Sequence, residues 1–122
     1  YRQVFEENGL HNIFLISPQT SAERIRMIDD ASNGFVYMVS SSSTTGMKKG
    51  FSPEQVDYFE RIREMRLKNP SLVGFGISTH ESFATVCQYA GGAIIGSAFV
   101  KMLADSKDLD NDIMKFVKEI KG

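Results

Sequence analysis

The sequence predicts an α/β fold of four parallel strand and helix units, half of a (β/α)8 TIM barrel. Three observations carry that expectation: short apolar runs alternate with helical patterns, hydroxyl residues stand where helices should start, and glycine and serine cluster just after the runs. Strict alternation implies parallel strands joined by right-handed crossovers, which leaves a doubly wound sheet and a barrel as candidates. The chain has 122 residues, against roughly 250 for a closed barrel. A barrel reading is therefore a half barrel, with residues 1–122 as one domain.

The four runs are Ile13 to Ile16, Phe35 to Val39, Leu72 to Phe75 and Ala93 to Ile95. They are continuously apolar, as suits strands covered on both faces. The opening YRQVFEENG reads as the end of a helix, and a start on Tyr1 suggests a piece of a longer chain. Capping boxes are expected at Thr20-x-x-Glu23, Ser52-Pro53-x-Gln55 and Ser78-x-x-Glu81, where side chains satisfy the free N–H groups of a first helical turn. Pro53 at the first helical position strengthens the second.

Buried stripes follow helical spacing: Ala22, Ile25 and Ile28; Val56, Phe59 and Ile62; Phe83, Val86, Cys87 and Ala90. A last helix sets Leu109, Ile113, Phe116, Val117 and Ile120 against a charged face and should pack on the sheet.

With 14 basic and 15 acidic residues, the chain lacks the field that gathers nucleic acid or anionic membranes. No apolar run nears the roughly 18 residues of a membrane span, and no signal peptide is visible, so a cytoplasmic protein is expected. Cys87 has no disulfide partner, and His11 and His80 stand too far apart for a zinc motif, so no metal is expected. His80 reads as a surface histidine, Cys87 as a core thiol, and Lys48-Lys49 as solvated loop charge.

Ligands of both candidate folds bind beyond the carboxyl ends of the strands. There the sequence places Ser40 to Gly46, Gly74-Phe75-Gly76-Ile77-Ser78 and Gly96-Ser97. Glycines admit a ligand close to the backbone, and helix-start amides face an anion. After Gly96-Ser97 there is room only for a short helix before Asp105-Ser106-Lys107-Asp108. An extra short helix at the last two strand loops is a common barrel phosphate site, which favours the barrel. A helix terminus adds only about 0.3 to 2 kcal/mol, so several loops must share the grip.

Four stretches, Asn12 to Pro18, Gly34 to Ser40 with Thr45-Gly46, Gly74 to Thr79, and Ile95 to Lys101, together resemble consecutive signatures of the tryptophan synthase alpha chain family. The resemblance covers essentially the whole chain and maps it onto strands five to eight. It implies a carbon–carbon lyase that splits indole-3-glycerol phosphate into indole and glyceraldehyde 3-phosphate. It also implies no cofactor of its own, and a beta chain partner that holds pyridoxal phosphate. Carried over by motif, Gly46, Gly76, Gly96 and Ser97 are phosphate-site positions, Phe75 and Ile77 substrate neighbours, Tyr37 a pocket residue, and Thr45 a loop residue that engages a catalytic aspartate.

The chain departs from the family's Ser-Arg-x-Gly-Val-Thr-Gly, with Ser41, Ser43 and Thr44 at the arginine, glycine and valine. The family's catalytic glutamate and aspartate belong to its first half, which this sequence does not contain. Each such group contributes roughly 10²- to 10⁴-fold, so the isolated chain should be nearly inactive. The alternatives are a non-catalytic phosphate-binding half barrel and another sugar-phosphate barrel enzyme. Unpaired sheet edges and an open inner face would promote a homodimer of half barrels, or pairing with a missing half.

Overall fold

The computed structural model describes residues 1–40 and 51–122. Its helices are α1 (Arg2–Glu7), α2 (Ala22–Ala31), α3 (Pro53–Met65), α4 (His80–Cys87), α5 (Ser97–Asp105) and α6 (Leu109–Lys121). Its strands are β1 (Phe14–Ile16), β2 (Val36–Val39), β3 (Ser71–Gly74) and β4 (Gly92–Ile94). The strands are parallel and lie side by side in chain order. A doubly wound sheet reverses its strand order at a switch point. This one does not, so the order decides for the barrel.

Register explains the core. Ile16, Met38, Val73 and Ala93 stand in one row across the sheet, and the first three are at most 1% exposed. They pack with Ile25 of α2, Phe59 and Ile62 of α3, and Val86 of α4. Phe59 is fully buried and meets the Phe51 ring edge-on, centroids 5.1 Å apart. Burying each such side chain stabilises the fold by roughly 1.5–3 kcal/mol. The neighbouring row, Leu15, Tyr37 and Leu72, points the other way because successive strand residues alternate faces. None of it joins the core cluster, and Leu15 is 56% exposed. The strands were expected to be covered on both faces; within the described residues the helices cover one.

Local signals are shifted at two helix starts. Ser52 caps α3 by accepting from the Gln55 amide, with Pro53 in the first turn, which is the forward half of the expected box. For α2 the cap is Ser21 rather than Thr20. The Thr20 hydroxyl is already used, accepting from the Ser17 amide at 2.9 Å to close a turn. For α4 the box is Thr79 with Ser82 rather than Ser78 with Glu81; the Ser82 hydroxyl accepts from the Thr79 amide at 3.2 Å.

Cys87 is exposed, contrary to the expected core thiol. It is the last residue of α4, where Val86 and Tyr89 take the inward positions. Ala22 is exposed as well, and Asp29 is the second buried residue of α2.

α6 does not join the sheet's core as expected. It packs against α4 and α5, Phe116 meeting Phe99 with ring centroids 5.5 Å apart, and no α6 residue enters the core cluster. Leu109 and Val117 stay largely exposed. Its far end reaches the first turn of α4, where His80 Nδ1 lies 2.9 Å from the Ile120 carbonyl oxygen.

The opposite end of the sheet is tied by a carboxylate. Asp29, 5% exposed, accepts from the backbone N–H groups of Lys68 at 2.8 Å and Asn69 at 3.0 Å and from Asn69 Nδ2 at 2.9 Å. This holds the end of α2 against the segment that feeds β3. Burial raises the Asp29 pKa, but the Asn69 side chain, the two backbone donors and the Lys68 charge outweigh it and hold the carboxyl below its usual range.

Candidate active site at the carboxyl ends of the strands

β3 ends at Gly74 and the chain turns at once. Phe75 has φ 71° and Gly76 φ 77°, two successive left-handed residues. Left-handed geometry costs a residue with a β-carbon roughly 1–2 kcal/mol and glycine almost nothing. The expected strand residue Phe75 thus belongs to the turn, 57% exposed at the rim.

Two contacts hold that turn. The buried Ser40, directly after β2, continues the sheet through its amide, which donates to the Gly74 carbonyl at 3.0 Å. Its hydroxyl hydrogen is shared between the carbonyls of Gly74 and Phe75. The Tyr37 ring lies over Gly74 and 6.1 Å from the Phe75 ring, tilted by 56°. Tyr37 and Phe75 thereby form an aromatic corner on the open side of the sheet. Ile77 follows the turn into the core, 5% exposed, beneath the helices rather than at the rim.

β4 is hydrogen-bonded to β3, so the segment after it emerges beside this corner. Gly96 caps α5 with no side-chain hydrogen bond, whereas serine or threonine hydroxyls cap α2, α3 and α4. Among the described residues a β-carbon on Gly96 would meet nothing within 4 Å, so packing against them does not require glycine there. Gly96 and Ser97 are both exposed at the start of a nine-residue helix, whose first amides lack intrahelical partners. The structure therefore gathers Tyr37, Phe75, Gly76, Gly96 and Ser97 at one end of the sheet. Thr45 and Gly46, with Ser41, Ser43, Thr44 and the Lys48-Lys49 pair, lie outside the described residues.

No group of three or more His, Cys, Asp or Glu side chains able to hold a metal occurs among the described residues. The carboxylate Asp29 sits at the other end of the sheet, where it accepts three hydrogen bonds from Lys68 and Asn69. His11 lines a small crevice with Arg2, Glu6, Asn12 and Asn33 beside α1, far in topology from the rim. Ser40 escaped the sequence reading because it is the first of four serines, and nothing in a serine run marks the buried one.

Comparison with known proteins bears on this arrangement. The family model described as Tryptophan synthase alpha chain matches residues 1–121. The chain is 57% identical over 121 residues to the Tryptophan synthase alpha chain of Flavobacterium johnsoniae, covering 99% of this chain and 47% of that one. It is 51% identical to that of Christiangramia forsetii, over 100% of this chain and 47% of that one.

Among solved structures, the tryptophan synthase subunit alpha from Campylobacter jejuni superposes with a TM-score of 0.78 at 27% identity, over 97% of this chain and 46% of that one. A mutant tryptophan synthase alpha-subunit from Pyrococcus furiosus gives 0.77 at 31%, over 98% and 48%. The chain spans about half the length of these relatives, as four βα units span half of an eight-stranded barrel. Fold, motif order and sequence identity agree: the chain belongs to the tryptophan synthase alpha chain family.

Proposed function

We propose that this chain is the C-terminal half of a tryptophan synthase alpha barrel, and that it supplies the substrate-holding half of a carbon–carbon lyase. The parent would cleave indole-3-glycerol phosphate to indole and glyceraldehyde 3-phosphate, with no cofactor of its own, and would pass indole to a beta chain bearing pyridoxal phosphate. The observation that carries this reading is the juxtaposition of the exposed Phe75-Gly76 turn with the uncapped start of α5 at Gly96-Ser97.

An aromatic corner beside the first-turn N–H groups of a helix suits a ligand that is apolar at one end and anionic at the other. Gly76, Gly96 and Ser97 would face the phosphate, with Gly46 joining them as the family resemblance implies. Phe75 and Tyr37 would flank the indole, Ile77 would shape the turn from beneath, and Thr45 would engage a catalytic aspartate. The catalytic glutamate and aspartate would come from the other half of the parent barrel. Retro-aldol cleavage needs a proton removed from the glycerol chain and one delivered to the indole ring carbon as the carbon–carbon bond breaks. No described carboxylate at this rim is placed for either step, so binding without turnover is expected of the chain alone.

The test is glycerol phosphate calorimetry together with an indole-release assay on the same preparation. Binding with no indole released supports the reading. Turnover by the chain alone would place the acid and base within it, and absence of both binding and turnover would remove the phosphate site.

A further inference from the structure

Building on this reading of the rim, we infer that Ser40 is a positioning residue, whose hydroxyl fixes the left-handed turn at Phe75-Gly76 and so sets the aromatic corner and the backbone that meet the ligand. Ser40 is 2% exposed and its backbone completes the pairing of β2 with β3 by donating to Gly74. Were β3 to continue, the Phe75 carbonyl would stay in the ladder. Instead φ 71° at Phe75 and φ 77° at Gly76 take the chain out of the sheet, and the Ser40 hydroxyl meets the Phe75 carbonyl as well as that of Gly74. The contact with the Gly74 carbonyl is buried and that with the Phe75 carbonyl partly so. A carbonyl withdrawn from water without a donor is costly, so the hydroxyl favours the turned backbone over alternatives that leave the Phe75 carbonyl unpaired.

Among the described residues the turn has few other restraints on this side. Phe75 is 57% exposed, its ring touching Tyr37 at a tilted 6.1 Å. Beyond it, Ile77 is anchored in the core and Thr79 in the capping box of α4. Phe75 and Gly76 therefore hang between a fixed C-terminal anchor and the Ser40 hydroxyl. Alanine at position 40 removes one oxygen and leaves the strand backbone intact. It should free these two residues while the sheet stays paired.

The experiment is backbone ¹⁵N relaxation on the chain and on Ser40→Ala and Ser40→Cys, followed by titration of each with indole-3-glycerol phosphate. In the parent chain the Phe75 and Gly76 amides should be rigid, with order parameters of about 0.85, and in Ser40→Ala they should fall below about 0.6 while Val36, Met38 and Val73 hold their values. Ser40→Cys, which keeps a weak donor, should lie between. Affinity for the probe should drop about tenfold in Ser40→Ala, the effect of one lost hydrogen bond to a positioned backbone.

Unchanged order parameters at Phe75 and Gly76 would overturn the inference. So would an equal loosening of Val36 and Val73, which would make Ser40 a general stability residue. If relaxation responds as expected but no variant, parent included, binds the probe, Ser40 retains its role in the turn and the functional reading fails instead.

Discussion

The Tyr37 ring lies so close over Gly74 that a β-carbon on Gly74 would sit 2.0 Å from the Tyr37 hydroxyl oxygen and 2.3 Å from the ring carbon bearing it. The two positions are offset between adjacent strands, Tyr37 pairing with Leu72 and Gly74 with Val39, so the ring leans along the sheet toward the rim. Glycine at position 74 is what lets the tyrosine turn toward Phe75.

Gly74→Ala should therefore destabilise the chain by about 1–3 kcal/mol, the usual cost of overpacking, read as a lower urea midpoint at unchanged slope. Combining it with Tyr37→Leu should recover part of that loss. A double-mutant cycle with no coupling would contradict the contact.

Asp29 predicts a specific acid sensitivity. Its folded pKa is lowered, so its contribution is fully present above the unfolded value of about 4 and is lost as pH falls through the folded value. Asp29→Ala should cost roughly 1–3 kcal/mol near neutrality, because it orphans the amides of Lys68 and Asn69. The variant's stability should also fall less steeply below pH 4 than the parent's, as followed by urea denaturation at several pH values.

Tyr58 gives the alkaline counterpart. Its hydroxyl donates to the Ile16 carbonyl at 3.2 Å from a buried position, and burial pushes its pKa far up, against a smaller opposing effect of Arg61. A raised folded pKa means the contribution holds below the unfolded value of about 10 and erodes above it. Tyr58→Phe should cost about 1 kcal/mol at neutral pH and weaken the loss of stability above pH 10, measured by denaturant titration.

Much of the architecture is legible in the sequence because it rests on local pattern. Each of the four apolar runs marks a strand to within a residue, and Ser52-Pro53 marks a helix start, since both signals act over a turn or less. What escaped depends on distant partners. Asp29 is buried by residues 39 and 40 positions away, and no apolar periodicity can announce a buried carboxylate. The stripe of α6 shows that it packs but not on what, and its neighbours prove to be helices rather than the sheet. At the rim, the glycines of 74–76 and 96 are visible in the sequence, whereas the left-handed φ of Phe75 and the shared hydroxyl of Ser40 are products of the assembled sheet.

For the chain on its own, without the other half of the proposed parent barrel, the face left open among the described residues and the sheet edges predict self-association. β1 and β4 are the edge strands of the sheet, and Leu15, 56% exposed, lies on the edge strand β1. Two copies supply the eight strands that close a barrel with a filled interior. Sedimentation equilibrium should give twice the 13.6 kDa chain mass, and Leu15→Lys should shift the population toward monomer. A monomer at all concentrations would contradict a closing role for this face.

The most direct test of the phosphate-holding rim is a ¹⁵N chemical-shift titration of the chain with glycerol phosphate. Shifts should be largest at the amides of Gly76, Gly96 and Ser97, with Lys68 and Asn69 at the far end of the sheet unmoved. Saturable shifts confined elsewhere, or none at these three amides, would contradict the placement of the anion site.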